Sequence, residues 1–194
     1  GCGDVNGDGF CDVAIASIRK ADGTPVGITE VFHGDLSGLE FDPALTAAGT
    51  AADTNFGRCL SSAGDVNLDG FSDLVVGSPN VGTGAGGRAF VYFGTPTGVE
   101  SAPGWSTSPG ASEDELGMSV SGGGDVNADG YSDVVIGIPH AEEDEFVFPG
   151  AAATYLGNDG VAVDRNLLQL ATAGGQQVRT GARNPAVTET IAIR

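Results

Sequence analysis

Residues 64–77 read GDVNLDGFSDLVVG, an acidic, glycine-containing loop that runs directly into an apolar segment. The same pattern occurs at residues 3–16, GDVNGDGFCDVAIA, and at residues 124–137, GDVNADGYSDVVIG. The first aspartates of the three copies are 61 and 60 residues apart. Self-similarity at a nearly fixed period indicates a repeat architecture. Each copy is followed by an apolar run that ends in glycine, at Gly34, Gly94 and Gly157.

Each repeat predicts a strand, the acidic loop, a second strand, a long turn and a third strand. The segment after the loop, residues 73–77, is apolar nearly throughout, which is typical of a strand buried on both faces. The 33 glycines and the short Val- and Ile-rich runs also indicate an all-β protein. A unit of about 60 residues with three or four strands fits one blade of a β-propeller. Because one blade cannot bury its own faces, the blades must stack.

The repeats predict about three blades. We expect a first blade at residues 1–50 that lacks its first strand, a second at 51–110 and a third at 111–160. Residues 161–194 are expected to form a partial blade or a closing strand. Three blades do not close a ring, since propellers have about four to eight. The sequence starts within a blade without Met or an apolar leader. We therefore expect residues outside it to complete the ring; the alternative is that two copies associate into one.

The acidic loop places oxygen-bearing groups at alternate positions. Positions 1, 3, 5 and 9 carry carboxylate or amide side chains, position 7 offers its carbonyl, and a glycine at position 6 permits a sharp turn. Oxygen ligands with up to three carboxylates suit Ca²⁺. The predicted ligands are Asp4, Asn6, Asp8, the Phe10 carbonyl and Asp12 in loop 1 (residues 4–12); Asp65, Asn67, Asp69, the Phe71 carbonyl and Asp73 in loop 2 (residues 65–73); and Asp125, Asn127, Asp129, the Tyr131 carbonyl and Asp133 in loop 3 (residues 125–133).

The loop pattern has two other interpretations. An EF-hand needs a bidentate glutamate at position 12, where this sequence has Ile15, Val76 and Ile136. The EF-hand interpretation therefore fails. A turn rich in Asp and Asn without any metal is the second alternative. The recurrence of every ligand position in all three loops favours calcium over such a turn.

Short motifs flank the loops. Phe56-Gly57 precedes loop 2 and Gly77-Ser78-Pro79 follows it, and loop 3 has the variants Leu116-Gly117 and Gly137-Ile138-Pro139. With the loops, these motifs resemble the FG-GAP repeat of integrin α-subunit propellers and their bacterial relatives, over roughly residues 1 to 160. The resemblance implies a β-propeller with Ca²⁺ in hairpin loops between the first two strands of a blade. Integrins use loops on one face for ligands and partner subunits, but no residue here can be matched to that role.

Composition and missing motifs argue against several classes of function. A net charge of −18 argues against nucleic acid as a partner, and no apolar stretch is long enough to predict a membrane span. No phosphate-binding P-loop or Gly-x-Ser-x-Gly motif occurs, so we expect no enzymatic role. The sequence predicts a non-catalytic, secreted or cell-surface propeller with structural calcium. We expect it to serve adhesion or to bind a protein or glycan ligand of unknown identity on the propeller face. The alternatives are an accessory module of a larger secreted hydrolase and a purely structural repeat in a surface array.

The cysteines and histidines give weaker signals. Cys2 and Cys11 bracket loop 1, and a disulfide between them would fit an oxidising compartment; the alternative is two free thiols. Cys59 is predicted to fill space in a core strand. His33 is predicted to pack or to lie at a strand end. His140 precedes an acidic turn that we expect to be solvated.

Overall fold

The computed structural model describes residues 1–21, 24–50, 55–79, 86–108, 115–140, 150–158 and 164–168. Within these ranges the chain forms strands, turns and bends and no helix, which confirms the predicted all-β class. The strands are β1 (Val13–Ala21), β2 (Thr24–Phe32), β3 (Gly34–Asp35), β4 (Gly38–Leu39), β5 (Leu45–Ala48), β6 (Cys59–Gly64), β7 (Asp73–Ser78), β8 (Arg88–Tyr92), β9 (Gly94–Thr95), β10 (Gly98–Val99), β11 (Trp105–Thr107), β12 (Val120–Gly124), β13 (Asp133–Ile138), β14 (Ala151–Leu156) and β15 (Asp164–Leu168).

The strands form three antiparallel sheets that follow one another along the chain. Blade 1 has the order β1-β2-β5, blade 2 the order β6-β7-β8-β11, and blade 3 the order β12-β13-β14-β15. Two short hairpins, β3–β4 and β9–β10, are inserted before the last strands of blades 1 and 2. Within residues 161–194, the described segment is β15, which pairs with β14. The unit boundaries at residues 50, 110 and 160 remain predictions.

Each acidic loop is closed by the pairing of the residue before it with its last residue. In blades 2 and 3 this pairing belongs to the ladder between the first two strands, next to a register shift that marks a β-bulge. In blade 1 it is an isolated bridge. The pairs are Gly3 with Asp12, Gly64 with Asp73, and Gly124 with Asp133.

The core lies between the blades. All six residues of β7 are buried, as the apolar run after loop 2 predicts. Leu74 and Val76 belong to the apolar cluster between blades 1 and 2, which includes Val31. Val75, on the opposite face of the strand, belongs to the cluster between blades 2 and 3, which includes Ile136. Since burying such a side chain stabilises a protein by about 1.5–3 kcal/mol, packing between blades is the main source of stability.

The Phe-Gly motif at the start of blade 2 lies where blade 2 contacts blade 1. The Phe56 ring packs edge-on against Phe90, with ring centroids 5.4 Å apart. Gly57 has φ +78°, and a Cβ there would lie 2.9 Å from both the Ala16 Cβ and the Thr29 Oγ1. Glycine at this position therefore permits a left-handed turn and close contact between the blades.

Candidate metal-binding loops

The last aspartate of each loop is fully buried and accepts two backbone hydrogen bonds. In loop 2, Oδ2 of Asp73 accepts from the N–H of Val66 at 2.8 Å, and Oδ1 accepts from the N–H of Gly94 at 2.8 Å. The carboxylate thus ties the start of its loop to the chain segment that follows β8. The same pair of bonds links Asp12 to Val5 and Gly34, and Asp133 to Val126 and Gly157.

A second set of hydrogen bonds holds the side chains at positions 1, 3 and 5 of loop 2 together. Asp65 accepts from the N–H groups of Asp69 and Gly70, at 3.1 and 2.9 Å. The Asn67 amide Nδ2 donates to Asp69 Oδ2 at 2.8 Å, and Asp69 Oδ1 accepts from the N–H of Phe71 at 3.0 Å. Loops 1 and 3 repeat this arrangement. The structure therefore brings three predicted ligand side chains of each loop to one place.

Left-handed backbone conformations produce the tight curl of the loop. Position 4 has positive φ in all three loops, although it is glycine only in loop 1; the others are Leu68 at 61° and Ala128 at 59°. This conformation costs a non-glycine residue about 1–2 kcal/mol. Position 6 is glycine throughout and also has positive φ, at Gly9, Gly70 and Gly130.

Burial and neighbouring charges shift the pKa of the last aspartate in loop 2. Burial raises the pKa of Asp73 to about 7; the N–H groups of Gly94 and Val66 oppose this shift, and the charges of Asp69 and Asp65 add to it. The three carboxylates are thus close enough for their charges to repel. A cation beside them would favour the ionised form of each.

The donors in the loops fit calcium chemically, because they are carboxylate, amide and backbone oxygens without nitrogen or sulfur. Across the described residues, however, no three His, Cys, Asp or Glu side chains converge in a geometry that could hold a metal. The loop carboxylates instead accept hydrogen bonds from the backbone of their own loop. Each carboxylate oxygen has more than one lone pair, so these bonds leave capacity for a ligand. The metal-binding role of the fifteen residues remains a prediction.

Sequence reasoning missed the contacts that join one loop to the next. The N–H of Ser72 donates to the carbonyl of Asp4 at 2.9 Å, and the N–H of Ser132 donates to the carbonyl of Asp65 at 2.8 Å. A second pair runs from Thr95 to the Val5 carbonyl at 3.1 Å and from Asn158 to the Val66 carbonyl at 3.0 Å. The signal was the glycine before each loop, because a Cβ at Gly3 would lie 2.5 Å from Ser72 Oγ.

The thiols and imidazoles lie apart from these contacts. Cys2 is buried, Cys11 is exposed and both are free, and burial raises the pKa of Cys2 to about 11. Cys59 is half-buried, and its thiol donates to the Gly117 carbonyl at 3.0 Å, so it fills a seam between blades 2 and 3. His33 lies at the end of β2, as predicted, with Nδ1 3.8 Å from a Glu40 carboxylate oxygen. His140 is about half exposed.

Comparison with known proteins identifies the repeats. The sequence model of the FG-GAP repeat matches residues 60–92 and 116–148, which carry loops 2 and 3. Together with the stacked antiparallel sheets, this match confirms that the chain contains FG-GAP repeats arranged as partial β-propeller blades.

The chain is similar to integrin α subunits in particular. It is 32 % identical to Integrin alpha-PS5 of Drosophila melanogaster over 146 residues, which are 72 % of this chain and 14 % of that protein. It is 33 % identical to Integrin alpha-5 of Xenopus laevis over 147 residues, 69 % of this chain and 14 % of that protein. Integrin alpha-8 of Mus musculus is 28 % identical over 178 residues, 85 % of this chain and 16 % of that protein. The chain therefore spans only a small part of these relatives. No helix in the described ranges is long and apolar enough to cross a membrane.

Proposed function

We propose that each of the three loops binds one Ca²⁺, and that the propeller is a non-catalytic, secreted or cell-surface module that binds a protein or glycan in adhesion. The observation that carries the calcium proposal is the threefold repetition of one oxygen arrangement. In every loop, positions 1, 3 and 5 are tied together beside a buried aspartate at position 9.

Calcium would have a structural role in this proposal. An ion beside Asp65, Asp69 and Asp73 would offset their mutual repulsion, and ligand binding to the folded chain alone would stabilise it. Because Asp73 also bonds to Gly94, order in the loop would extend to the segment after β8. The ion would therefore rigidify the blade rather than take part in a reaction.

The location and use of the module are inferred from its relatives and its charge. The similar proteins are named integrin α subunits. Extracellular modules commonly bind Ca²⁺ with Kd values of about 10⁻⁴ to 10⁻³ M, which suits loops of this composition outside the cell. A net charge of −18 favours cations over polyanions as ligands.

Isothermal titration calorimetry with CaCl₂ tests the metal proposal. We expect about three sites per chain with Kd values of about 10⁻⁴ to 10⁻³ M. Asp69→Asn removes one carboxylate charge from loop 2 without changing the size of the side chain, and should weaken calcium binding there enough to lower the observed stoichiometry by one. Asp42→Asn removes one exposed acid outside the loops and serves as the matched control for charge.

Two outcomes would contradict the metal proposal. One is the absence of calcium heat in the unmodified protein, and the other is an equal effect of Asp69→Asn and Asp42→Asn. Adhesion is tested separately, by binding of the calcium-loaded protein to glycan arrays and to immobilised extracellular matrix proteins. Saturable binding to at least one of them is expected, and its absence from all of them would count against an adhesive role.

A further inference from the structure

We propose that calcium binding in one loop raises the calcium affinity of the adjacent loop, through a path of hydrogen bonds that joins the two predicted sites. This inference rests on the proposed function, because it concerns the same loops. It adds a coupling between the loops that a single repeat would lack. The contacts that carry it lie between loops 1 and 2 and recur between loops 2 and 3.

The path begins at a predicted ligand of loop 2, the carbonyl of Phe71. This carbonyl and the N–H of Ser72 belong to one planar peptide group, because the two residues are consecutive. The Ser72 N–H donates to the carbonyl of Asp4 in loop 1 at 2.9 Å. A cation on the Phe71 carbonyl would therefore polarise the peptide group that donates to loop 1.

The path ends at a predicted ligand of loop 1, the carboxylate of Asp12. The Asp4 carbonyl shares its peptide group with the N–H of Val5, and this N–H donates to Oδ2 of Asp12 at 2.7 Å. Two peptide groups and two hydrogen bonds thus connect the Phe71 carbonyl to the Asp12 carboxylate. The two predicted calcium sites are therefore joined through backbone groups alone.

The same path recurs between loops 2 and 3, starting from the carbonyl of Tyr131. The N–H of Ser132 donates to the Asp65 carbonyl at 2.8 Å, and the N–H of Val66 donates to Oδ2 of Asp73 at 2.8 Å. Val66 and Asp73 are buried, as are their counterparts in loop 1. Hydrogen bonds polarise one another more strongly in such a low-dielectric interior than in water. The buried end of each path therefore transmits the effect of an ion with little screening.

Side-chain packing connects the same pairs of loops. A Cβ at Gly7 would lie 2.8 Å from Cε1 of Phe71, so this ring lies against position 4 of loop 1. Between loops 2 and 3, a Cβ at Gly130 would lie 3.4 Å from Cδ1 of Leu68, which is position 4 of loop 2. An ion that orders one loop would thus restrict its neighbour. The second ion would then have fewer groups left to order, which favours positive cooperativity.

Charge acts in the opposite direction, since an ion in one loop weakens the negative field that attracts the next ion. The carboxylates at position 5 are exposed in all three loops, at Asp8, Asp69 and Asp129. Fields between exposed groups are screened by salt, with a Debye length of about 8 Å at physiological ionic strength. The buried path is screened less, so the net coupling should be positive under these conditions.

Calcium titration calorimetry at physiological ionic strength tests the coupling with three variants, each with one weakened loop. Asp8→Asn leaves loops 2 and 3 intact, and Asp129→Asn leaves loops 1 and 2 intact, so each keeps an adjacent pair. In these variants the first ion should raise the affinity for the second at least about fivefold. Asp69→Asn leaves loops 1 and 3, whose blades are separated by blade 2, and is the matched control in which binding should be independent. Circular dichroism melts confirm that each variant is folded.

Amide proton shifts, measured by NMR in the Asp8→Asn variant, test the path itself. At calcium concentrations that fill only the intact loops, the Val5 amide proton should move downfield, because the ion in loop 2 polarises the path that ends in loop 1. Adding Asp69→Asn to this variant leaves loop 3 as the intact loop. The Val5 shift should then disappear, while the Val66 amide proton should still move.

The outcomes separate the coupling from calcium binding. Independent binding in the adjacent pairs, equal cooperativity in Asp69→Asn, or an unmoved Val5 amide proton would overturn the coupling and leave the proposed function intact. Absence of calcium binding in the unmodified chain would overturn both proposals.

Discussion

Asp73 combines two roles that can be separated by substitution. Its carboxylate is a predicted calcium ligand, and it also accepts hydrogen bonds from Val66 and Gly94 inside the protein. Asp69 is a predicted ligand too, but it is exposed and bonds only within its loop. The buried aspartate is therefore expected to stabilise the blade even without an ion.

Asp73→Asn should lower the free energy of unfolding in EDTA by about 1–3 kcal/mol, because an amide NH₂ would face one of the two backbone N–H donors and leave it without an acceptor. Asp69→Asn should have little effect under the same conditions. Urea denaturation followed by circular dichroism measures both. If the two variants lose equal stability in EDTA, Asp73 has no structural role separate from the metal.

At this scale the sequence predicted part of the site. The grouping of the side chains at positions 1, 3 and 5 could be predicted from spacing alone, because these positions lie within one turn of the chain; their role as calcium ligands stays a prediction. The partner of Asp73 could not, since Gly94 lies 21 residues further on and is brought close by the pairing of β7 with β8. The glycine that ends each apolar run was visible in the sequence, but nothing local linked it to the loop.

Strands β1 and β7 share one sequence pattern but differ in how deeply they are buried. Both follow an acidic loop and both carry an apolar residue at position 12. β7 has a blade on each side and is buried throughout, whereas β1 has a neighbouring blade on one side among the described residues. The apolar run predicted both strands, but burial of β1 depended on a neighbour outside the repeat. The two-residue strands of the β3–β4 and β9–β10 hairpins are too short to give any periodic signal.

Truncation of the side chain at position 12 should therefore lower the free energy of unfolding by different amounts in β1 and β7. Val76→Ala removes two buried methyl groups and should cost about 2 kcal/mol, from lost burial and the cavity left behind. Ile15→Ala removes more carbon atoms but should cost less, because the side chain is already about half exposed. Urea denaturation at dilute, monomeric concentration measures both variants. A larger loss for Ile15→Ala would contradict the assignment of β1 to an open face.

Among the described residues, the two apolar clusters lie between neighbouring blades, one between blades 1 and 2 and the other between blades 2 and 3. Stability in such a stack is approximately a sum of unit and interface contributions. Blade 2 takes part in both interfaces. Local opening is therefore expected to begin in the outer blades.

Hydrogen exchange followed by mass spectrometry should show this gradient. Amides in β7 and β8 should exchange most slowly, and amides in β1 should exchange faster, because β1 lacks cover on one face. The experiment uses dilute protein so that the exposed side of β1 stays in contact with solvent. Equal protection of β1 and β7 would show that the stack opens only as a single unit.

Removal of calcium should lower the free energy of unfolding of the blade stack, with one contribution lost for each loop that loses its ion. At a calcium concentration ten times the Kd, each occupied loop adds about 1.4 kcal/mol by mass action. EDTA should therefore lower the melting temperature, and Asp69→Asn should reduce that shift by about one third. Differential scanning calorimetry with and without EDTA measures the shift. An unchanged melting temperature in EDTA would rule out stabilisation by calcium.

The hydrogen bonds that join successive loops also affect how the genes of such repeat proteins can lengthen. The hydrogen bonds that join loop 1 to blade 2 are equivalent to those that join loop 2 to blade 3. A tandem duplication of one unit would therefore supply both halves of this interface at once. Deletion of a whole unit would likewise keep the interface between the units that remain. Insertion of half a unit would instead leave a loop without its hydrogen-bond acceptor. Length variation in natural populations of such genes should accordingly occur in steps of whole repeats.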